Sequence, residues 1–167
     1  MNWEDAHILH VEAAADFAEA ASRVPADRWL APREEGKWSP AEIVEHVSLA
    51  YDVLLREIAG GPGMRVRTKM WQRLLLRVAM VPGLLRGKPF PKGARSPRET
   101  RPELKSTDQA AAIASLRDRA ARFDAAAMEA QRSGRRVRLT HAYFGSASLR
   151  HATILCARHV QHHRKQL

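Results

Sequence analysis

The chain has 167 residues, enough for one domain that buries its own core without disulfides. Its 45% hydrophobic share rests on Ala, Leu and Val, with only 6% aromatic residues, and this composition favours helices over sheets. The lone cysteine, Cys156, excludes an internal disulfide, and no apolar stretch approaches the ~20 residues of a transmembrane helix. Residues 1–5 lack the basic and apolar regions of a signal peptide. We therefore expect one mostly helical domain, residues 1–167, located in the cytoplasm.

The formal charge of +10 is concentrated in one segment. Residues 64–105 contain twelve Lys or Arg against Glu99 and Glu103, so the remainder of the chain is neutral. An anionic partner is therefore to be sought at this segment alone.

Two helices are predicted in the first 60 residues. The first covers about residues 2–23, where one helical face recurs at spacings of three and four residues. That face consists of Trp3, His7, His10, Ala14, Phe17, Ala21 and Val24. The second begins at Ser39 as N-cap, with Pro40 at the first helical position and Glu42 completing a capping box. Its inward stripe is Ile43, His46 or Val47, Ala50 and Leu54, and Gly60 ends it.

Two more long helices and a long connector are predicted in the rest of the chain. The third helix covers residues 107–133, and the last follows Phe144-Gly145-Ser146. His159 and His163 continue the apolar stripe of that last helix. The connector between helices two and three, residues 60–106, is too long for a simple turn. It contains a predicted basic amphipathic helix at about residues 66–81.

Three histidines form a candidate metal site. Residues four apart stand on one face of a helix, so His159 and His163 can share one ion. A pair fills only half of a coordination sphere, and His46, on the inward side of helix two, is the best third ligand. The alternative is that each is a hydrogen-bonded core histidine, but three would then need three separate buried partners. We favour a metal site.

The histidine triad also constrains the topology. His46 lies near the start of its helix, and His159 and His163 lie near the end of theirs. They meet only if helices two and four run antiparallel, which an up-down-up-down bundle does not allow. We therefore predict an all-α four-helix bundle of up-down-down-up order, with a long crossover connection that carries an extra short basic helix.

Two sequence blocks resemble the DinB-like four-helix bundle family of metalloenzymes, also called the DinB/YfiT-like family. The first is G-K-W-S-P-A-E-I-V-E-H at residues 36–46, and the second is Phe144-Gly145, then Leu149, then H-V-Q-H-H-R-K-Q-L at residues 159–167. The resemblance implies that one histidine of helix two and an H-x-x-x-H pair of the last helix bind a divalent metal. On this chain those positions are His46, His159 and His163. Some members of the family are transferases that use a low-molecular-weight thiol such as mycothiol or bacillithiol.

Three neutral imidazoles leave an ion its full charge and an open position, as in catalytic zinc sites. Such an ion could activate a water or a thiol, so hydrolysis and thiol transfer to a small molecule both stay open, as does a non-catalytic, stress-associated metal-binding role. Zinc is the first expectation, with nickel, iron or manganese also possible. Four residues are candidates for the cavity rim or for support of the ligands: His162, Trp38, Glu42 and Tyr143. The capping position of Glu42 already explains it without catalysis.

The connector helix offers a second class of function, an anion-binding module. Arg65, Lys69, Arg73 and Arg77 form a line at spacings of four beside apolar residues, a pattern that suits nucleic acid or a membrane surface. The simpler interpretation, which we favour, is a helix packed on the bundle with a solvated basic face. Cys156 is interpreted as a small core residue, and a homodimer is possible for a bundle of this size.

Overall fold

The computed structural model describes residues 1–90, 96–104 and 107–167 of the chain. Within these ranges the fold is predominantly helical, as the sequence predicted. The elements are α1 (Trp3–Ser22), α2 (Ala26–Trp29), α3 (Pro40–Ile58), α4 (Met70–Leu85), a 3-10 turn (Arg98–Thr100), α5 (Gln109–Arg132), β1 (Arg138–His141), β2 (Gly145–Ser148) and α6 (Leu149–Arg164). Two parts of the predicted connector, residues 91–95 and 105–106, lie outside the described residues.

Side-chain caps fix where the long helices begin. Asn2 caps α1, and Ser39 caps α3 in a capping box in which Glu42 bonds back to the Ser39 amide. Asp108 caps α5 and Ser148 caps α6, each accepting a backbone N–H of the first turn. Such caps satisfy amide donors that have no partner within the helix, so the positions of all four starts follow from local chemistry.

The connector helix lies four residues further along the chain than the sequence predicted. α4 covers Met70–Leu85 rather than residues 66–81, and Pro82 sits inside its last turn instead of ending it. The physical reason is packing beyond the proline, because Leu84 is buried with Phe144 and Leu155 in a small second core. Burial of that leucine outweighs the local preference of proline to end the helix.

A two-stranded antiparallel hairpin precedes α6, and the sequence did not predict it. Strands β1 and β2 pair from Arg138 opposite Ser148 to His141 opposite Gly145. Gly145 adopts a φ of +70°, a left-handed conformation that favours glycine. The hairpin also anchors the start of the connector, because the turn carbonyls of Ala142 and Tyr143 accept hydrogen bonds from the Arg67 amide and the Thr68 hydroxyl.

Helix α5 packs against both α1 and α3. Near the start of α1, His7 pairs with Asp124, which lies late in α5, whereas the Gln109 side chain at the start of α5 donates to the Ala21 carbonyl at the end of α1. Against α3, Arg119 pairs with Asp52. The guanidinium of Arg135, just beyond the end of α5, donates to the Ile58 carbonyl at the end of α3.

Helix α6 packs most extensively on α1 and touches α3 along one side. His46, early in α3, meets His159, late in α6. Tyr51, further along α3, lies beside Cys156, which lies earlier in α6. The main core lies between these helices and includes the buried rings of Phe17, Tyr51 and Phe123.

No helix in the described ranges combines the length and the apolar character needed to cross a bilayer.

Candidate metal centre

Local helix signals place the three histidines at one end of the helices. The capping box at Ser39 starts α3, which puts His46 seven residues into that helix on its buried side. His159 and His163 lie one turn apart in the last part of α6. His46 and His163 are 5% and 7% exposed, and His159 is half-buried. The cluster is thus enclosed by protein but reachable from outside at His159.

The three imidazoles converge through their Nε2 atoms. The Nε2 atom of His159 lies 3.1 Å from that of His46 and 3.0 Å from that of His163. Each residue offers one ligand atom, and all three atoms lie within 4.8 Å of one another. The structure therefore brings together the three residues that the sequence singled out.

Hydrogen bonds on the far side of two rings determine their tautomers. The Nδ1–H of His46 donates to the Thr100 carbonyl at 2.5 Å, and a carbonyl can only accept. The Nδ1–H of His163 donates to the Gln166 Oε1 at 2.7 Å. The amide nitrogen of Gln166 in turn faces the Nε2 of His162 and donates to it. In both His46 and His163 the converging Nε2 therefore carries a lone pair.

The donor set fits a divalent metal ion. A proton on the Nε2 of His159 could satisfy only one of the two lone pairs that face it, so proton sharing leaves at least one buried acceptor unpaired. One cation satisfies all three. Two imidazole nitrogens in a tetrahedral zinc site lie about 3.3 Å apart, close to the 3.0 and 3.1 Å of the two pairs that include His159. The third pair, His46 with His163, lies within 4.8 Å. A carbonyl or amide oxygen behind a ligating histidine is also the usual support in metal sites.

Burial keeps the three rings neutral. It lowers the pKa of His46 below 6.5 and outweighs the bond to the Thr100 carbonyl, which raises it. Burial, with smaller contributions from His163 and His46, holds the pKa of His159 well below 6.5. Burial and then the proximity of His46 lower the pKa of His163 to about 3. At neutral pH the Nε2 lone pairs are therefore available to an ion.

The predicted rim residues occupy different places. Trp38 covers one side of the cluster, with its ring centroid 4.8 Å from that of His46 and 6.4 Å from that of His163. His162 lies beside His163, at 5.2 Å between centroids. The Glu42 carboxylate bonds to the amide and hydroxyl of Ser39, so its place is structural. Tyr143 lies in the hairpin turn, where its ring faces His141.

Sequence reasoning missed four residues around the cluster. Thr100 and Gln166 hold two of the rings, and the Ser96 hydroxyl lies 3.0 Å from that of Thr100 and 3.5 Å from the His46 Nδ1. Phe90 contacts the rings of His159 and His162. Only Gln166 carried a usable signal, since it follows His163 by three residues. The other three belong to the connector, where no periodicity ties them to His46.

A second polar cluster lies away from the triad. The Nε2 of His10 bonds to the Tyr51 hydroxyl at 3.0 Å, and His7 pairs with Asp124. These side chains border a largely apolar cavity of about 250 Å³ between α1 and α5. None of the three converging histidines lines this cavity, so the ligand chemistry and this apolar cavity are separate features.

The protein defined by these features is a mostly helical protein with three histidines that could hold one metal ion. The family model of the DinB superfamily matches residues 9–167. The chain therefore belongs to the DinB superfamily, as the two sequence blocks predicted. Neither a curated protein nor a solved structure matches it.

Proposed function

We propose that this protein binds one divalent metal ion, zinc in the first place, through His46, His159 and His163, and uses it as an enzyme on a small molecule. The observation that carries the proposal is the convergence of three neutral Nε2 atoms, two of them with tautomers fixed from behind. A core histidine cluster without an ion would leave an acceptor unpaired.

We also propose that α1, α3, α5 and α6 form a bundle of up-down-down-up order. The contacts along α5 support this order, because residue numbers run in opposite directions between α1 and α5 but in the same direction between α3 and α5. Between α3 and α6 they run in opposite directions. A single domain, a homodimer and a cytoplasmic location stay predictions from the sequence.

The chain's own residues prepare the site in three ways. Thr100 and Gln166 orient two imidazoles and keep their lone pairs directed at a common point. Trp38 and Phe90 pack against different members of the cluster and limit the access of water. No carboxylate in the described part of the chain joins the cluster. A bound ion keeps its full charge there and supplies Lewis acidity, which lowers the pKa of a water or thiol group beside it.

Two reactions are consistent with such a centre. Hydrolysis needs only water and a substrate with a polarisable carbonyl or phosphoryl group, whereas thiol transfer needs a low-molecular-weight thiol as cosubstrate. Some members of the superfamily are thiol-using transferases, so thiol transfer stays a candidate beside hydrolysis. In that reaction the thiol sulfur forms a bond to the electrophilic carbon of the second substrate, the leaving group departs with the bonding pair, and the thiol proton passes to solvent.

Metal analysis tests the proposal most directly. Wild-type protein supplied with zinc should retain about one ion per chain, and His163→Ala should lose it. His151→Ala is the matched control, since His151 lies on the same helix outside the triad, and it should bind as wild type does. Equal metal content in wild type and His163→Ala, or none in either, would contradict the proposal.

Activity is then tested with the zinc-loaded protein. Thiol consumption should occur with a panel of electrophiles and a low-molecular-weight thiol, and it should disappear in His163→Ala but persist in His151→Ala. Substrate cleavage without added thiol would instead identify a hydrolase. A metal-loaded protein that does neither would leave metal binding without turnover.

A further inference from the structure

Helix α4 carries an exposed apolar face that the metal centre does not use. Five large side chains form this outer face: Met70, Trp71, Leu74, Leu75 and Val78, which are 80%, 62%, 63%, 61% and 71% exposed. They lie on adjoining turns and form one continuous patch. Scattered surface hydrophobics need no explanation, but a continuous patch of this kind marks an interaction site.

The orientation of α4 is fixed by contacts on its other side. Leu84 is buried, and Leu76 and Met80 pack against the small core that it forms with Phe144 and Leu155. Arg77 donates to the Ser146 carbonyl at 2.8 Å, and the stem of Arg73 lies against Gly145. The sequence had favoured a solvated basic face. Arg65, Lys69 and Arg77 are exposed, as that interpretation predicts, but Arg73 and Arg77 also reach the hairpin and the five apolar residues face outward as well.

The segment that carries the outer face is strongly basic. Residues 64–90 contain seven basic side chains and no acidic one. Besides Arg73 and Arg77, they are Arg65, Arg67 and Lys69 before the helix, and Arg86 and Lys88 after it. The apolar patch is therefore bordered by cations at both ends.

We propose that α4 docks on an anionic lipid surface, with its outer face inserted among the lipids and the flanking cations on the headgroups. A helix with a broad apolar face that includes a tryptophan, with Lys and Arg at its borders and no acidic residue, has the composition of interfacial helices. Electrostatic attraction to anionic headgroups adds to the burial of the apolar residues. Docking on such a surface therefore uses both the apolar face of the helix and the positive charge beside it.

A second copy of the chain or a nucleic acid would each match only one of the two features, the apolar face or the positive charge. A second copy of the chain would cover the apolar face but bring together two segments that each hold seven basic residues and no acidic one, which is unfavourable. A nucleic acid would match the cations but leave the apolar face in water, since phosphate contacts are polar. The lipid surface is the occupant that the charge and the apolar face favour together.

Vesicle sedimentation tests this inference. The full-length protein is mixed with vesicles of phosphatidylcholine alone, or of phosphatidylcholine with phosphatidylglycerol, at low and at high salt. We expect the protein to sediment with the anionic vesicles at low salt and to be released by high salt. The variant Trp71→Ser/Leu75→Ser should reduce the partition coefficient by about tenfold or more. Leu30→Ser is the matched control, because Leu30 is exposed on another part of the molecule, and it should bind as wild type does.

Two further measurements separate the alternatives. Arg65→Gln/Arg86→Gln should weaken binding to anionic vesicles and flatten its salt dependence, while helical circular dichroism stays unchanged. The His163→Ala protein should bind vesicles as wild type does, so this test is independent of the metal centre. No binding to anionic vesicles at low salt would overturn the inference. So would a dimer that the Trp71→Ser/Leu75→Ser variant dissociates, or DNA binding that the same variant leaves intact.

Discussion

The hydrogen bond from His163 to Gln166 gives the sharpest prediction about the metal centre. In Gln166→Leu the Nδ1–H of His163 loses the acceptor that now lies at 2.7 Å, and the ring becomes free to carry its proton on Nε2, where the ion should bind. Loss of such a supporting bond costs 10–100-fold in metal affinity. Gln166 is exposed, so water can replace part of its role, and we expect the lower end, about tenfold or 1.4 kcal/mol.

A competition titration of zinc against a chelating dye measures this change. Gln161→Leu is the matched control: it is the same amide-to-alkyl substitution on α6, at a residue that bonds to Arg158 rather than to the triad. Its zinc affinity should equal that of wild type. If Gln166→Leu binds zinc as tightly as wild type while His163→Ala does not bind, the hydrogen bond has no part in setting the tautomer.

Three further predictions concern stability and reactivity. Burial lowers the pKa of His141 to about 4, so the unfolded chain binds more protons as pH falls below 6.5. Between pH 7 and pH 5 the free energy of unfolding of wild type, measured by urea titration, should fall by about 1–2 kcal/mol more than that of His141→Gln. An equal fall in the two proteins would contradict this. Gly145→Ala should destabilise the fold more than Gly134→Ala does, by about 1 kcal/mol. Both positions have positive φ, but only at Gly145 would a Cβ meet a neighbouring side chain, that of Arg73 at 2.6 Å. Equal melting temperatures of the two variants would refute the contact. Burial raises the pKa of the Cys156 thiol to about 12, so iodoacetamide should label it only after unfolding, as mass spectrometry would show.

The long helices and the three histidines were predictable because their determinants are local. A capping box needs residues only three apart, so Ser39 and Glu42 fixed the start of α3 without knowledge of the fold. The pairing of His159 with His163 follows from the helical repeat. His46 was assigned from its place on the inward stripe and from the family resemblance, and the structure puts it beside the other two.

The remaining features depend on contacts between distant residues. Thr100 is 54 residues from the His46 ring that its carbonyl supports, and no pattern in the sequence links the two. The end of α4 was placed too early because the burial of Leu84 against Leu155 overrides the local effect of Pro82. The hairpin was missed because strands of four residues carry too few alternations to show a period.

The separation of the histidines along the chain has a consequence for folding. His46 and His159 are 113 residues apart in sequence, so an ion held by both would act as a crosslink that closes most of the chain into a loop. By the chain-entropy model that is used for disulfides, a loop of this size restricts the unfolded chain by about 5 kcal/mol. In this protein with a single cysteine, the ion would thus act as a reversible crosslink between α3 and α6. A chelator would then act as a reductant does on a disulfide: it would remove the crosslink without changing a residue.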